Sequence, residues 1–435
     1  MKRLNYFLLF NFIAWSMVSV SSIDAAETEA VFQAANQYTV KISTSVMTPF
    51  DEDSKGTFTG TGFLVDASRG WILTNAHVAS RSPSSVRISF KGDEYMVAEK
   101  LYIDPLIDVA ILQIPLSKLP SKVKPAPLQC KNMPKAGTSV GAFGHPWGFN
   151  YTATMGIVSG YTYKWGMYLM QTDAPVNHGN SGGPLISVEN GKVVGITTAK
   201  LDKASAKRMN FAVPAKYACK IISLLKQDKD PSPPDLPIVF FDDENKGKTL
   251  NVAKVYTTSS HYPLQSGDEI LQVDNGREQL SNPGVLVHQL RGNVNKVVRI
   301  GIKRGKQKQT IKFHVQPMKK IVDHQGIYVS GLIIADVPYV DKQEFALEHM
   351  LMVHDVEAGS VAEGLKIESS DFLISVNNKS YQNVNNLYLG LKKLVNTKIK
   401  AHLIVKRLYL QGTNLFSYHE VDLPVSKLRF IGPLH

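Results

Sequence analysis

The sequence contains little cysteine, the residue that binds soft metals and builds redox centres. Its 435 residues include two cysteines, Cys130 and Cys219, and no cysteine–histidine pattern has the spacing of a metal site. We therefore predict no metal, no cofactor and no catalytic thiol. The two cysteines could pair in an exported protein, but Cys219 also suits the apolar face of a helix over residues 217–225, and the sequence does not decide between these alternatives.

Long apolar runs are also scarce. One lies near the N-terminus, where Lys2 and Arg3 precede an apolar stretch over residues 6–20. This stretch is shorter and more polar than the ~20 apolar residues that a membrane span needs. Because Ala25 and Ala26 offer a small-residue cleavage site, we predict a cleaved signal peptide over residues 1–26 and export of the chain. An uncleaved membrane anchor is the alternative.

Acidic residues are fewer than basic ones, 37 against 49, which gives a net charge of +12. The densest basic region covers residues 303–320 and could attract anionic lipid or polymer. Arg304-Gly305-Lys306 is nevertheless typical of a turn between two alternating runs, so we favour a solvated β-hairpin. The pattern of aromatic residues gives no support for a nucleic-acid partner, and contact with a membrane surface stays an unsupported alternative.

The most informative segment is Gly179-Asn180-Ser181-Gly182-Gly183-Pro184-Leu185, a serine with glycines on both sides. A serine hydroxyl attacks an acyl carbon when a base takes its proton and amide donors hold the oxyanion. Glycines let the backbone turn its N–H groups inward to supply those donors. Ser181 is therefore a candidate nucleophile, provided that the rest of the chain supplies a base and an orienting carboxylate.

Two upstream segments supply both groups. His77 lies in residues 74–78, after a glycine-punctuated apolar run, and Asp108 opens an apolar strand-like run. Asp104 competes for the role of the carboxylate, but it precedes a proline in a pattern typical of a turn, so we choose Asp108. The resulting order, His77, Asp108 and Ser181, is that of the chymotrypsin-type triad.

These motifs resemble those of the HtrA/Deg family of trypsin-like serine proteases. The matching segments are Thr61-Gly62-Phe63 and residues 73–78, 104–110, 171–175 and 179–185. The resemblance implies a mainly β structure whose protease domain, over residues 27–228, is a chymotrypsin-like double β-barrel. It implies that His77 is the general base, that Asp108 orients it and that Ser181 is the nucleophile. The backbone N–H groups of Gly179 and Ser181 would form the oxyanion hole.

The resemblance also allows the substrate pocket to be predicted. Tryptic enzymes carry Asp six residues before the nucleophile, whereas this chain has Pro175, followed by Val176. Ile196 and Thr198 would add branched bulk to the pocket wall. We therefore expect cleavage after small or medium aliphatic residues and not after Lys or Arg. Asn180 stands where activated digestive zymogens carry an Asp, so we do not expect activation by propeptide cleavage.

The length suggests about three domains, and a proline-rich segment marks the first boundary. Residues 229–236 hold three prolines among charged residues and predict a semi-rigid linker. Beyond it, residues 267–275 align with residues 370–378 at an offset of 103 positions. This repeat predicts two related small domains, over residues 237–318 and 319–428.

The repeated pattern resembles tandem PDZ domains in the permuted form that HtrA/Deg proteins carry. PDZ domains bind the C-termini of peptides by strand addition. In the second copy the candidate peptide-binding residues are Gly331, Leu332 and Ile333, because residues 328–333 resemble a carboxylate loop and the strand after it. The first copy lacks the expected glycine and has Pro237, so a packing module is an equal alternative there.

Two functions are compatible with these residues. The first is an exported, ATP-independent endopeptidase that degrades unfolded or misfolded proteins; the resemblance implies the bacterial periplasm and a trimer-based homo-oligomer. Unfolded proteins suit such an enzyme because the aliphatic residues at which it cuts are buried in folded ones. The second is a PDZ-based chaperone or binding scaffold with minor proteolysis. The complete triad and the complete segment of residues 179–185 favour the endopeptidase.

Overall fold

The fold is described from a computed structural model. It describes residues 25–50, 53–145, 151–164, 167–198, 210–241, 249–257, 262–274, 280, 282–338, 351–411 and 413–432. The predicted signal peptide therefore lies outside the described residues up to residue 24, and helix α1 begins at its predicted end, over Ala25–Tyr38. Within the described ranges, no helix is long and apolar enough to cross a membrane.

The first half of the chain forms two closed six-stranded barrels. The strands of the first barrel are β1 (Thr39–Val46), β2 (Gly56–Asp66), β3 (Trp71–Thr74), β4 (Ser84–Ser89), β5 (Met96–Asp104) and β6 (Val109–Gln113). Their order around the barrel is β1-β2-β3-β6-β5-β4, all antiparallel. A short helix, α2 (Ala76–Ala79), lies between β3 and β4, and a 3₁₀ turn over Leu116–Lys118 follows β6.

The second barrel repeats this architecture. Its strands are β7 (Ser139–Gly144), β8 (Thr152–Lys164), β9 (Met167–Thr172), β10 (Pro184–Ser187), β11 (Val193–Thr198) and β12 (Asn210–Pro214), in the order β10-β11-β12-β9-β8-β7. Helix α3 (Ala215–Lys226) follows β12 and buries one apolar side. The arrangement is the chymotrypsin-like double barrel, as predicted.

A disulfide joins the second barrel to α3. Cys130 and Cys219 are bonded, with 5.6 Å between their Cα atoms. The sequence left this pairing open against a purely apolar role for Cys219 on the helix. The structure supports the pairing, because the helix turns Cys219 towards the segment that precedes β7.

The chain then forms a five-stranded unit, which we call the middle unit. It contains β13 (Ile238–Phe240), β14 (Leu250–Val255), β15 (Glu269–Val273), α4 (Pro283–Leu290), β16 (Val297–Arg304) and β17 (Gln307–His314), and its sheet runs β13-β14-β15-β16-β17. Helix α4 begins at Asn282, whose side chain accepts a hydrogen bond from the Val285 amide, and Pro283 occupies its first turn. The basic residues near 303–312 lie on the β16–β17 hairpin, as the turn at Gly305 predicted.

The remaining residues form a seven-stranded unit, which we call the C-terminal unit. A 3₁₀ turn over Ile321–Asp323 precedes it. Its elements are β18 (Gly326–Val329), β19 (Leu332–Asp336), β20 (Leu351–Val356), α5 (Val361–Gly364), β21 (Phe372–Val376), α6 (Val384–Lys392), β22 (Lys400–Gln411), β23 (Thr413–Pro424) and β24 (Arg429–Ile431). The strand order is β23-β22-β21-β20-β19-β18-β24. Phe50, in the loop after β1, packs against Ile333 and Ile431 of this unit.

The predicted repeat recurs as a repeated ion pair. In the middle unit, Arg304 donates two hydrogen bonds of 2.8 Å to the buried carboxylate of Asp268. In the C-terminal unit, Arg407 donates bonds of 2.7 and 2.8 Å to the buried carboxylate of Asp371. Both pairs are related by the offset of 103 positions found in the sequence. The two units are therefore built on the same plan.

The proline-rich segment between the barrels and the middle unit is held tightly. Its Ser232 side chain is 1% exposed, and the Met318 amide donates to the Pro233 carbonyl oxygen. Helix α3 ends at Lys226, before this segment, as the prolines predicted. The segment is thus packed against its neighbours at this point and does not run through solvent.

Candidate active site

The structure brings the predicted base and carboxylate into direct contact. His77 lies on α2, whose N-cap is Asn75, and Asp108 ends the turn between β5 and β6. The Nδ1 atom of His77 is 2.8 Å from Oδ2 of Asp108, and the His77 backbone N–H donates to Oδ1 at 3.0 Å. These two contacts fix the orientation of the ring and assign Nδ1 as the donor, which leaves Nε2 as the acceptor.

Asp108 is held by further contacts. Its side chain is buried, its carbonyl oxygen accepts a hydrogen bond of 2.8 Å from the Asn75 side chain, and its φ of 53° lies in the left-handed region. Burial raises the pKa of Asp108, but the charge and hydrogen bonds of His77 outweigh it and lower the pKa to about 2. The carboxylate is therefore ionised at neutral pH. A positive φ strains the backbone of a non-glycine residue, and residues with such strain cluster at functional sites.

Ser181 lies in a tight turn just before β10. Its carbonyl oxygen accepts a hydrogen bond of 2.9 Å from the Thr61 amide, and the Gly182 amide donates to the Thr197 carbonyl oxygen at 2.8 Å. A Cβ atom at Gly182 would collide with Thr74 Oγ1 and the Thr61 carbonyl oxygen, and its φ is +83°. Glycine is required there because the turn lies directly against the segment that leads into the His77 helix.

Thr61 also fixes the predicted oxyanion loop. Its Oγ1 atom donates to the Gly179 carbonyl oxygen at 2.6 Å. Gly179 has a φ of +101°, so the chain reverses direction just before the nucleophile. Thr61 thus contacts the residues on both sides of Asn180. The Thr61-Gly62-Phe63 motif was the available sequence signal, but it gave no reason to assign Thr61 this role.

The Thr198 hydroxyl contacts the candidate triad. Its Oγ1 atom donates to Asp108 Oδ2 at 3.0 Å. The place of Thr198 in the wall of the substrate pocket stays a prediction. Ile196, predicted for the same wall, is fully buried in the barrel core. The next residues of that wall, 199 and 200, lie outside the described residues.

The other two predicted pocket residues are less buried than Ile196. Pro175 is exposed and its carbonyl oxygen accepts a hydrogen bond of 2.7 Å from Thr154 Oγ1. Val176 is half-buried against the core of the second barrel. No acidic side chain stands at position 175, as the sequence indicated.

Asn180 is fully buried beside the candidate nucleophile. Neither its Oδ1 nor its Nδ2 atom has a hydrogen-bond partner within the part of the chain that the structure describes. His145 is close to the same place, since its Nδ1 atom is 3.2 Å from Thr61 Oγ1, and burial together with Lys41 lowers its pKa to about 4. His145 is therefore neutral at pH 7. An amide at position 180 buries no charge, whereas an ionised carboxylate there would carry a larger desolvation cost.

The predicted peptide-binding residues of the C-terminal unit lie in a β-hairpin. Leu332 and Ile333 belong to β19, which pairs with β18 on one edge and with β20 on the other. Ser330 and Gly331 have φ values of 53° and 102°, and two consecutive positive φ values are the signature of a two-residue type I′ turn. Strand β19 is thus paired on both of its edges, with β18 and with β20.

Comparison with known proteins finds a matching domain family and similar proteases. The profile of the trypsin-like peptidase domain matches residues 60–196. A probable periplasmic serine endoprotease DegP-like from Marinomonas sp. (strain MWYL1) is 28% identical over 348 residues, which cover 75% of this chain and 72% of that protein. The periplasmic serine endoprotease DegP of Escherichia coli (strain K12) is 24% identical over 346 residues, covering 75% of this chain and 70% of the relative.

A solved structure shares the fold. The HtrA-type protease AlgW with tripeptide superposes with a TM-score of 0.55 at 23% identity, over 67% of this chain and 97% of that one. The matched range, residues 60–196, includes the motifs around residues 61, 77, 108 and 181. The chain carries a trypsin-like peptidase domain and is a serine endoprotease with DegP/HtrA homologues.

Proposed function

We propose that the chain is an exported, ATP-independent endopeptidase that degrades unfolded or misfolded proteins with His77, Asp108 and Ser181 as its triad. The observation that carries the proposal is the set of hydrogen bonds that holds the His77 ring. Asp108 contacts both the backbone N–H and Nδ1 of His77, and Thr198 contacts Asp108. The periplasm is the proposed location, because the named relatives are periplasmic.

The proposed reaction has two halves. Ser181 Oγ forms a bond to the carbonyl carbon of the substrate while its proton passes to His77 Nε2, and the backbone N–H groups of Gly179 and Ser181 hold the resulting oxyanion. The peptide C–N bond then breaks, and the leaving amine takes the proton from His77. In the second half, a water molecule attacks the carbonyl carbon of the acyl-enzyme in the same way, and the bond to Ser181 Oγ breaks. The carboxylic acid product is then released. The buried charge of Asp108 stabilises the imidazolium in both halves.

Substrate choice follows from the pocket residues in this proposal. Pro175 and Val176 offer no charge that would fix a basic side chain, so cleavage after small or medium aliphatic residues is expected. Because such residues are mostly buried in folded proteins, unfolded chains are the proposed substrates. ATP is not required, since unfolding is not part of the reaction.

We also propose that the middle and C-terminal units are PDZ domains, over residues 237–318 and 319–428, after a linker over residues 229–236. Their shared plan and their resemblance to the family support this assignment. Peptide C-termini are the proposed partners of such domains, and a trimer-based homo-oligomer is the proposed assembly. At Gly331, Leu332 and Ile333, however, peptide binding would require β18 to leave the edge of β19.

The experiment uses the purified full chain without nucleotide. Digestion of β-casein, followed by sequencing of the cut sites, should show cleavage after aliphatic residues, while a folded protein stays intact. Ser181→Ala should abolish cleavage, and the matched variant Ser187→Ala, at a buried serine of β10, should retain it. Cleavage mainly after Lys or Arg would contradict the specificity. Activity that survives in Ser181→Ala would contradict the triad, and an inactive wild-type chain that prevents aggregation would favour the scaffold.

A further inference from the structure

We propose that Lys100, on β5, is a positioning residue for the His77 base, because it holds the end of helix α2. Helix α2 is a single turn, Ala76–Ala79, and so short a helix is not stable by itself in water. Its place in the structure therefore depends on the side chains around it. The half-buried Lys100 extends its ammonium group to the turn that follows α2, where Nζ donates to the carbonyl oxygens of Ser80 at 2.9 Å and Ser82 at 2.6 Å.

Three successive carbonyl oxygens at the end of α2, those of residues 78–80, accept hydrogen bonds from side chains. Thr44 Oγ1 donates to the first at 2.7 Å, Ser84 Oγ donates to the second at 3.2 Å, and Lys100 Nζ donates to the third. The last carbonyl groups of a helix have no partner within it, and they form the negative end of the helix dipole, so a cation beside them is favourable. Because a charged donor makes stronger hydrogen bonds than a hydroxyl, Lys100 provides the strongest of these three contacts.

Asp53, in the loop after β1, balances the charge of Lys100. Its Oδ2 atom accepts hydrogen bonds from Ser80 Oγ, from Ser82 Oγ at 2.6 Å and from the Ser82 amide at 2.8 Å. The side chains of both serines therefore bind the carboxylate, while their carbonyl oxygens bind the ammonium group. Burial lowers the pKa of Lys100 to about 8, while the charge of Asp53 raises it. The amine therefore keeps its proton at pH 7, and the two charges hold the turn between them.

The turn held in this way is directly connected to the base. Ser80 is the C-cap residue of α2, three positions after His77, and its φ of 68° lies in the left-handed region. The bonds from Lys100 and to Asp53 maintain this strained backbone. His77 has to keep its two bonds to Asp108, from Nδ1 at 2.8 Å and from the backbone N–H at 3.0 Å. Because α2 is one turn long, displacement of its end would move the His77 ring relative to Asp108.

This inference rests on the triad proposed above, and it assigns Lys100 no contact with the substrate. Loss of the ammonium group should therefore lower kcat and leave KM unchanged. A role in stability alone would act differently, because it would lower the fraction of folded protein without altering the rate at which a folded molecule reacts. The rate per folded molecule therefore separates the two roles.

The test compares Lys100→Met, Lys100→Arg and the double variant Asp53→Asn/Lys100→Met in the full-length chain at pH 7. Lys226→Met is the matched control, because Lys226, at the end of α3, also bonds a buried carboxylate, that of Asp66, at 2.7 Å. The measurements are the thermal midpoint, the rate at which a fluorophosphonate probe labels Ser181, and kcat and KM for a β-casein peptide.

We expect Lys100→Met to lower both kcat and the labelling rate about tenfold or more with KM unchanged, since a shift of ~1 Å in a catalytic group can cost ~100-fold. Lys100→Arg keeps a charged donor that can bind both carbonyl oxygens, so it should recover most of the rate. The double variant should regain thermal stability, because it buries no unpaired charge, but it should stay slow, because α2 still lacks this contact. Lys226→Met should lower the thermal midpoint and leave kcat unchanged.

The inference is overturned if Lys100→Met or the double variant folds and reacts at the wild-type rate, or if Lys100→Arg is as slow as Lys100→Met. Should Lys100→Met fail to fold, the folded double variant decides the matter, because its charge balance is restored. Failure of the proposed function gives a different result, because the wild-type chain would then show no labelling at Ser181 and no cleavage.

Discussion

Thr198, on β11 of the second barrel, donates a hydrogen bond to Asp108, which the first barrel carries, with 3.0 Å between Oγ1 and Oδ2. The candidate triad is therefore assembled across the boundary between the barrels. His77 and Asp108 come from the first barrel, and Ser181 and Thr198 come from the second. Any change that shifts one barrel against the other should affect the triad before it affects either core.

The Thr198 bond predicts a specific loss of activity. Thr198→Val keeps the shape of the side chain but removes the donor, and a hydrogen bond to a charged group is worth about 1.5–3 kcal/mol. We expect kcat/KM on a β-casein peptide to fall about tenfold to a hundredfold on that basis. Thr198→Ser, which keeps the hydroxyl, should stay close to wild type. Equal activity of the Val and Ser variants would show that the bond plays no part in catalysis.

Substitution of Gly182 by alanine should cost more stability than backbone strain alone explains. Gly182 and Gly92 both have a φ of +83°, but a Cβ atom meets Thr74 and Thr61 at Gly182 and has open space at Gly92. Gly92→Ala should therefore show only the conformational cost, about 1 kcal/mol of unfolding free energy. Gly182→Ala should lose several times as much and lose peptidase activity. Urea unfolding of both variants measures the difference, and equal losses would contradict the packing assigned to the nucleophile turn.

We expect the disulfide to contribute strongly to the stability of the folded protein. It joins two residues that are 89 positions apart in the sequence, and removal of such a bond typically costs about 2–5 kcal/mol. We expect the double variant Cys130→Ser/Cys219→Ser to unfold at lower urea concentration and to keep its activity at low temperature, since neither residue lies at the candidate site. Reduction of the wild-type protein should give the same shift. An unchanged midpoint in both experiments would show that the bond does not form in solution.

Because the pKa of Asp108 is lowered in the folded state, the stability of the protein should depend on pH. Its pKa in the folded state is lowered to about 2, below the value of about 3.9 expected in an unfolded chain. The unfolded state therefore binds the proton first as the pH falls, and the stability that the ionised carboxylate contributes is lost as the pH falls through this range. The difference in unfolding free energy between wild type and Asp108→Asn should shrink as the pH falls from ~5 towards ~2. A difference that grows on acidification would contradict the assigned interactions.

The sequence predicted the reactive groups because their chemistry allows few residue types in few patterns. His77, Asp108 and Ser181 were found from their order and their neighbours, and the structure places the first two in hydrogen-bond contact. The sequence did not predict the direction of the Thr198 side chain. Strand β11 is buried throughout, so it lacks the alternation of polar and apolar residues that reveals which face a side chain occupies.

The turn at Ser330 and Gly331 shows a second limit. A carboxylate-binding loop and a two-residue hairpin turn both use a glycine between apolar residues, so the local sequence suits either. In this structure Val329 pairs with Leu332, so Ser330 and Gly331 form a hairpin turn, and the peptide-binding role stays a prediction. The ion pair of Arg291 with Asp104 had no sequence signal, because it depends on how the middle unit and the first barrel pack against each other.

The most direct test of the account is the identity of the residue that reacts with a fluorophosphonate probe. The wild-type protein should be labelled once, and mass spectrometry of the digest should place the adduct on Ser181. Both His77→Ala and Asp108→Asn should slow labelling by orders of magnitude while leaving the fold intact. An adduct on another residue, or labelling that persists unchanged in Ser181→Ala, would contradict the assignment of the catalytic site.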